Sequence, residues 1–314
     1  MEVTPKLNHP WLVAVWPGMG HVALNAGVYL LAKLGMTTIA EFETHELFDV
    51  DQVEVKDGVI QPHRRPRNRF FVWTDPNGKH DLVVFLGEAQ PPVGKFPFCR
   101  QVIRFAKDLG VERVFTFAAM ATQMHPEKRS RVFGATTDSS GLDELKQLEL
   151  ELLEDGHIGG LNGVLLAAAA EANLRGACFL GEMPHIFAQL PFPKASLAIL
   201  EVFTTIANID LDLQELDEQA KAVEEQLGQL LARVEQQYGR QTSEDEDDEE
   251  GEGYITETEP EEEVPAVDRG RVEELFGQAG KDRSKAFELK RELDRLGLFK
   301  EYEDRFLDLF KKGK

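Results

Sequence analysis

The stretch from Gly156 to Asp210, GHIGGLNGVLLAAAAEANLRGACFLGEMPHIFAQLPFPKASLAILEVFTTIANID, leaves the chain few ways to fold. It reads as a glycine-rich start, a buried helix, a short core strand, a proline-studded loop and a second apolar helix. Alanine is the strongest intrinsic helix former, and Ala167 to Ala170 let the first helix approach a neighbouring surface closely. Gly176 is expected to stop that helix. Ala177 to Leu180, an apolar run bounded by glycines, suits an interior strand. Glu182, His185 and Gln189 gather where the strand should end, among Pro184, Pro191 and Pro193. In open α/β sheets, ligand and partner sites lie beyond the carboxyl ends of strands, so this loop is the first candidate for a working surface.

The rest of the first 210 residues alternates in the same way. Trp11 to Trp16 is a compact apolar run closed by the turn signal Pro17-Gly18-Met19-Gly20, and His21 to Leu34 fits a helix packed by one face. Thr37 to Phe42, Arg69 to Trp73, Asp81 to Leu86, Arg113 to Ala118 and Val132 to Ala135 read as strands. Phe98 to Leu109 reads as a helix, and Leu142 to Leu153 as a charged helix or a helix–strand step. Val53 to Val55 and Val59-Ile60 suit a hairpin about Asp57-Gly58. Such alternation predicts a largely parallel sheet covered on both faces.

Three further regions follow. Leu211 to Tyr238 carries Leu213, Leu216, Ala220, Val223, Leu227, Leu230 and Val234 at steps of three and four, a long amphipathic helix ending the first domain, residues 1–238. Glu244 to Glu263 holds no basic residue and cannot repay the entropy of ordering by burial, so residues 239–266 read as an acidic disordered linker. Residues 267–314 form a C-terminal helical segment too poor in aromatics for a core of its own, so it is expected to dock on its own body or on another chain.

Composition narrows the chemistry. A net charge of −21 argues against a nucleic-acid partner, because phosphate backbones need lysine and arginine. No apolar run approaches the roughly 20 residues of a membrane span, and the N-terminus is a poor signal peptide; a cytoplasmic protein without membrane partners is expected. Cys99 and Cys178 read as small buried residues. HExxH, CxxC, GxSxG and GxxxxGK[ST] do not occur, and His45, His63, His80, His125 and His157 lack metal-ligand spacing, so neither metal nor cofactor is expected.

The polar residues at strand ends remain. His21 and Asn25 are four apart and share a helix face behind the Gly18 turn. Gly87-Glu88 and Gly181-Glu182 follow apolar strands in the same manner; two such carboxylates would act as an acid/base pair if they met, and otherwise accept bonds from loop amides. Thr122 sits at a third strand end, and Asn162 opens the alanine-rich helix. Arg64 to Arg69 is a dense basic cluster, read as a solvated loop.

With these blocks in order, WPGMGHVALNAGVYLLAKL, GGLNGVLLAAA, CFLGEMPHIF, PFPKAS and IDLDLQELDEQA, the chain resembles the PAC2 family, the proteasome assembly chaperone 2-like proteins, over roughly residues 9–238. The resemblance implies a three-layer α/β/α sandwich with a largely parallel central sheet, similar to purine nucleoside phosphorylase-like folds, and self-association into small oligomers. Family chaperones bind proteasome α-type subunits and promote assembly of their rings; several do so through a hydrophobic-Tyr-X tail. This sequence stops at Phe310-Lys311-Lys312-Gly313-Lys314, so engagement by that route is not expected.

The reading is therefore a non-enzymatic assembly chaperone or scaffold, binding proteasome-like or other oligomeric subunits and itself homo-oligomeric. Phe187, Phe192, Phe299, Tyr302 and Phe306 are its expected interface anchors. The alternative is a small-molecule binder or a phosphorylase- or ligase-like enzyme, with a strand-end pocket built from Gly18, His21, Asn25, Glu88, Thr122, Asn162, Glu182 and His185. Convergence of those side chains on one closed cavity favours the enzyme, and an exposed apolar patch in the same place favours the chaperone.

Overall fold

The computed structural model describes residues 6–42, 47–48, 53, 55–56, 58–61, 65–148, 150–241 and 266–311. In chain order its elements are β1 (Trp11–Val15), α1 (Val22–Lys33), β2 (Thr37–Phe42), β3 (Val55–Lys56), β4 (Val59–Ile60), β5 (Asn68–Trp73), β6 (Leu82–Gly87), α2 (Lys95–Asp108), β7 (Arg113–Thr122), β8 (Val132–Thr136), α3 (Ser139–Gln147), β9 (Glu151–Leu152), α4 (Gly160–Glu171), β10 (Arg175–Pro184), α5 (Pro193–Ala207), α6 (Gln214–Gln241), α7 (Ala266–Lys281), α8 (Ala286–Arg295) and α9 (Phe299–Asp308). No helix among the described residues is long and apolar enough to cross a membrane.

Eight strands form one sheet in the order β2-β5-β6-β1-β7-β10-β8-β9. Its centre is parallel, β6-β1-β7-β10, while β2–β5, β5–β6 and β8–β10 pair antiparallel. Central strands bury both faces, so their apolar runs divide by alternation. Val13, Val15, Val84, Phe115, Phe117 and Phe179 enter one core, with α1, α5, α6 and the C-terminal helices. Leu12, Ala14, Trp16, Val83, Phe85 and Leu180 enter the other, with α2 and α4. The result is the expected mixed α/β sandwich with helices on both faces.

Several local expectations need correction. Gly176 lies inside β10 rather than at a helix end; α4 stops at Glu171 and the chain turns at Asn173, whose φ is +58°. A Cβ at Gly176 would sit 2.7 Å from Leu166 Cδ2 and 3.1 Å from the Val114 carbonyl oxygen, so the glycine lets α4 pack closely on the strand. The hairpin pairs Val55–Lys56 with Val59–Ile60, leaving Val53 outside it, and Asp57 lies outside the described residues. Leu142 to Leu153 resolves into the end of α3 and the short β9. Both cysteines are buried, and burial pushes their thiols up to about 12.

Helix α6 runs past the expected boundary at 238 to Gln241, and α7 begins at Ala266. The acidic segment between them, with His45, His63 and Arg64, lies outside the described residues. Leu216, Ala220 and Leu227 bury the α6 stripe, whereas Leu230 stays 43% exposed. The C-terminal helices dock on their own body. Phe287 meets Tyr29 of α1 edge-on at 4.5 Å, and the Thr38 amide of β2 donates to the Phe310 carbonyl at 2.8 Å.

Candidate functional site

The carboxyl ends of the parallel strands carry the loops singled out in the sequence. After β1 the chain makes a single 3-10 turn, Met19–His21, with Gly20 at φ +60° and His21 at φ +50°. A Cβ on Gly20 would lie 2.7 Å from Met183 Sδ, so this turn admits only glycine there. The turn is laced to the loop after β10 by two backbone bonds: the Gly20 amide donates to the Ala188 carbonyl and the Phe192 amide to the Gly20 carbonyl, each at 2.9 Å. The laced loops leave Met19, Ile186 and Leu190 in solvent, 45%, 54% and 41% exposed. Neighbouring exposed apolar side chains of this kind are a signature of interaction surfaces.

The eight polar candidates do not converge. They fall into three places along the sheet. Gly18 and Asn162 border a cleft of about 420 Å³, together with Met19, Gln90, Met120 and His157. Helix α4 opens at Gly159, which has no side chain to cap it, and Gln90 fills that role: its Oε1 accepts from the Leu161 amide at 3.0 Å while its Nε2 donates to the Pro17 carbonyl at 3.2 Å. One residue thus ties the loops after β1 and β6 to the start of α4.

Thr122, Glu182 and His185 form the second group. Thr122 Oγ1 donates to Glu182 Oε1 at 2.8 Å, and Arg131 grips both carboxylate oxygens, Nε to Oε2 at 2.8 Å and Nη2 to Oε1 at 2.7 Å. That bidentate bond holds the Glu182 carboxyl below its usual range. Arg131 also reaches Glu151 at 2.9 Å, and His185 Nδ1 lies 3.0 Å from the Thr122 carbonyl.

His21 and Glu88 border a third place, a cleft of about 570 Å³ under the C-terminal helices, with Pro17, Phe299, Lys300 and Glu303. Glu88 Oε2 accepts from the Arg67 amide at 3.0 Å, and Arg69 Nη2 stands 3.7 Å from Oε1. Asn25 lies behind, buried, its Oδ1 accepting from Lys290 Nζ at 2.7 Å. Burial, with the Lys290 charge, lowers the His21 pKa, and Asp294 pulls the other way. Glu88 and Glu182 therefore do not share a site: β1 and β7 stand between their strands, a separation of roughly 14 Å at the usual strand spacing. Among the described residues no group of three His, Cys, Asp or Glu could hold a metal ion.

Three of the five expected interface anchors are corrected too. Phe187, Phe192 and Phe306 are 6%, 1% and 0% exposed and fill the chain's own core. Phe299 stacks edge-on against Phe306, and Tyr302 lies 5.7 Å from Phe276, both half-buried against the same core. Residue type marked aromatics, but the laced loops turn the phenylalanines inward and leave Ile186 and Leu190 outside. Apolar side chains in a proline-rich loop were the available signal for those two. Arg131 and Gln90 gave none, because their partners are distant in sequence.

Comparisons with known proteins agree with this architecture. The profile of the PAC2 family matches residues 12–231. The uncharacterized protein MJ1210 of Methanocaldococcus jannaschii is 28% identical over 223 residues, covering 70% of this chain and 82% of that protein. The crystal structure of Pyrococcus furiosus PbaB, an archaeal proteasome activator, superposes with a TM-score of 0.62 at 26% identity, covering 74% of this chain and 95% of PbaB. The Mycobacterium tuberculosis proteasome-assembly chaperone homologue Rv2125 shares the fold at 22% identity, with a TM-score of 0.61 over 70% of this chain and 94% of its own. With more than half its length matched by the family profile, the chain belongs to the PAC2 family.

Proposed function

We propose that this chain is a cytoplasmic, non-enzymatic assembly chaperone or scaffold that binds subunits of a multi-subunit complex, proteasome α-type subunits first among them. The observation that carries the reading is the exposed apolar group Met19, Ile186 and Leu190, held on two loops laced together by backbone bonds at the strand ends. A surface so fixed presents apolar area without the entropy cost of ordering a loop on binding. Similarity to PbaB, an archaeal proteasome activator, supports a proteasome-type client. The dispersal of the eight polar candidates over three places also supports a surface that binds over a pocket that reacts.

The test is affinity capture by the full chain from native lysate of its host, followed by reconstitution with the purified subunits it recovers. Recovery of proteasome α-type subunits, and a complex reformed from pure components, is the expected result. Failure to retain α-type subunits that the host demonstrably makes would refute the proteasome assignment.

A further inference from the structure

Every residue of α1 from Val22 to Ala32 is buried. A helix on the face of a sheet ordinarily keeps one side in water; here the C-terminal helices help to take that side. Tyr29 receives Phe287, Asn25 receives Lys290, and Phe71 of β5 receives Phe310 at 6.1 Å. At the rim, Arg67 Nη1 and Arg69 Nη2 donate to Asp304 Oδ1 at 3.0 and 2.8 Å. The family match ends at residue 231, so this cover comes from outside the matched region. It is joined to α6 by residues 242–265, about two dozen residues with a full reach of roughly 80 Å.

We propose that α7–α9 is an exchangeable module, and that the α1 face of one copy is a docking surface for the C-terminal helices of a second copy of this chain. The receptor face and the module belong to identical chains, so every contact made within one copy can be made between two. Reciprocal exchange closes on itself as a two-fold dimer with no open end. The connection is long enough to reach a neighbour. Its length also sets the competition, because a linker keeps its own module at an effective concentration of order millimolar. Docking within one copy therefore dominates in dilute solution, and exchange takes over when two copies are held side by side. Two copies gathered on one client would be latched together. The inference needs no client and stands or falls apart from the chaperone reading.

A charge-reversed pair tests it. Arg67 is a quarter exposed and its Asp304 partner more so, but Asp304 also accepts from the buried Arg69, so the folding of each variant is checked first. One copy carries Arg67→Glu and the other Asp304→Arg. Each alone places like charges at the junction, whereas exchange between the two variants restores the native contact of Arg67 and Arg69 with Asp304 at one junction, and at the other sets the reversed pair beside Arg69. Light scattering of the equimolar mixture is expected to show twice the mass of either variant alone. A mixture with the same mass as its components overturns the proposal. Circular dichroism identifies a variant that fails to fold, and a wild-type measurement then decides. Isotopically light and heavy chains are concentrated together, diluted and cross-linked through lysine. Mixed light–heavy links between the C-terminal helices and the body are expected, and links confined to light–light and heavy–heavy pairs overturn the exchange.

Discussion

Two strand ends look alike in the sequence, Gly87-Glu88 and Gly181-Glu182, and the fold treats them differently. Both carboxylates are almost fully buried, at 2% and 3% exposure. Glu182 is satisfied within the family domain, by Thr122 of the adjacent strand and by Arg131. Glu88 sits where that domain meets the C-terminal helices, between the Arg67 amide and Arg69, while Lys300 of α9 donates to its backbone carbonyl at 3.4 Å. The same local motif thus serves as an internal clasp at one end of the sheet and as part of a junction at the other. A motif specifies a donor or an acceptor; the chain brought alongside specifies its use.

The largest expected effect falls on the junction. Phe287 is 2% exposed and packs edge-on against Tyr29, so Phe287→Ala should cost about 3–5 kcal/mol, as large-to-small core substitutions do. Urea unfolding measures it. A loss below about 1 kcal/mol would mean that the C-terminal helices are not integral to the fold, and the contrast between the two ends would collapse.

Glu182→Gln comes next. It keeps the shape but gives up the charge that Arg131 clasps. Because Arg131 is half exposed and regains water, the loss should be about 1–2 kcal/mol, less than for a fully buried pair. Its pH dependence supplies the sign. The folded-state pKa of Glu182 is lowered from 4.5, so its contribution is complete above that value and lost as pH falls through the folded value. The difference between wild type and Glu182→Gln should therefore shrink only as pH falls below 4.5. A difference that does not change with pH would show that Arg131 does not clasp the ionised form.

The junction end should respond to acid earlier. Burial and Lys290 lower the His21 pKa from 6.5, so the folded state resists the protonation that the unfolded chain accepts. Stability is then lost as pH falls through 6.5 toward the lower folded value, a different window from that of Glu182. His21→Gln should flatten the stability profile as pH falls below 6.5 and leave the Glu182 window unchanged. Equal slopes in wild type and variant would remove His21 from the account.

Legibility followed physical range. The apolar runs of β1, β6 and β7 announced central strands because alternation on two buried faces is a property of neighbouring residues. The two-core sandwich followed from them. Gly176 was misread for the converse reason: a glycine that ends a helix and one that admits Leu166 against a strand look the same until the helix is in place. The Arg131–Glu182 clasp joins residues 51 apart, and Arg69–Asp304 spans 235. Neither spacing leaves a trace in a local pattern. Phe187, Phe192 and Phe306 could not be placed in the core from sequence, because residue type reports capacity for burial, not the direction the chain imposes.

The smallest effect on stability should accompany the largest effect on binding. Met19, Ile186 and Leu190 stand on the two laced loops, 45%, 54% and 41% exposed, and their replacement by serine removes apolar area that the folded chain buries only in part. Each substitution should move stability by no more than about 0.5 kcal/mol, as expected for surface positions without a special backbone or hydrogen-bonding role. The backbone bonds from the Gly20 amide to Ala188 and from the Phe192 amide to Gly20 stay intact, because they involve no side chain. If this surface holds the client, Met19→Ser, Ile186→Ser and Leu190→Ser combined should abolish capture while the melting temperature stays within a few degrees of wild type. Capture that survives the triple substitution would move the client to another face. A fall in melting temperature as large as that of Phe287→Ala would show instead that these side chains are buried in solution, and the strand-end loops would join the junction as structural elements.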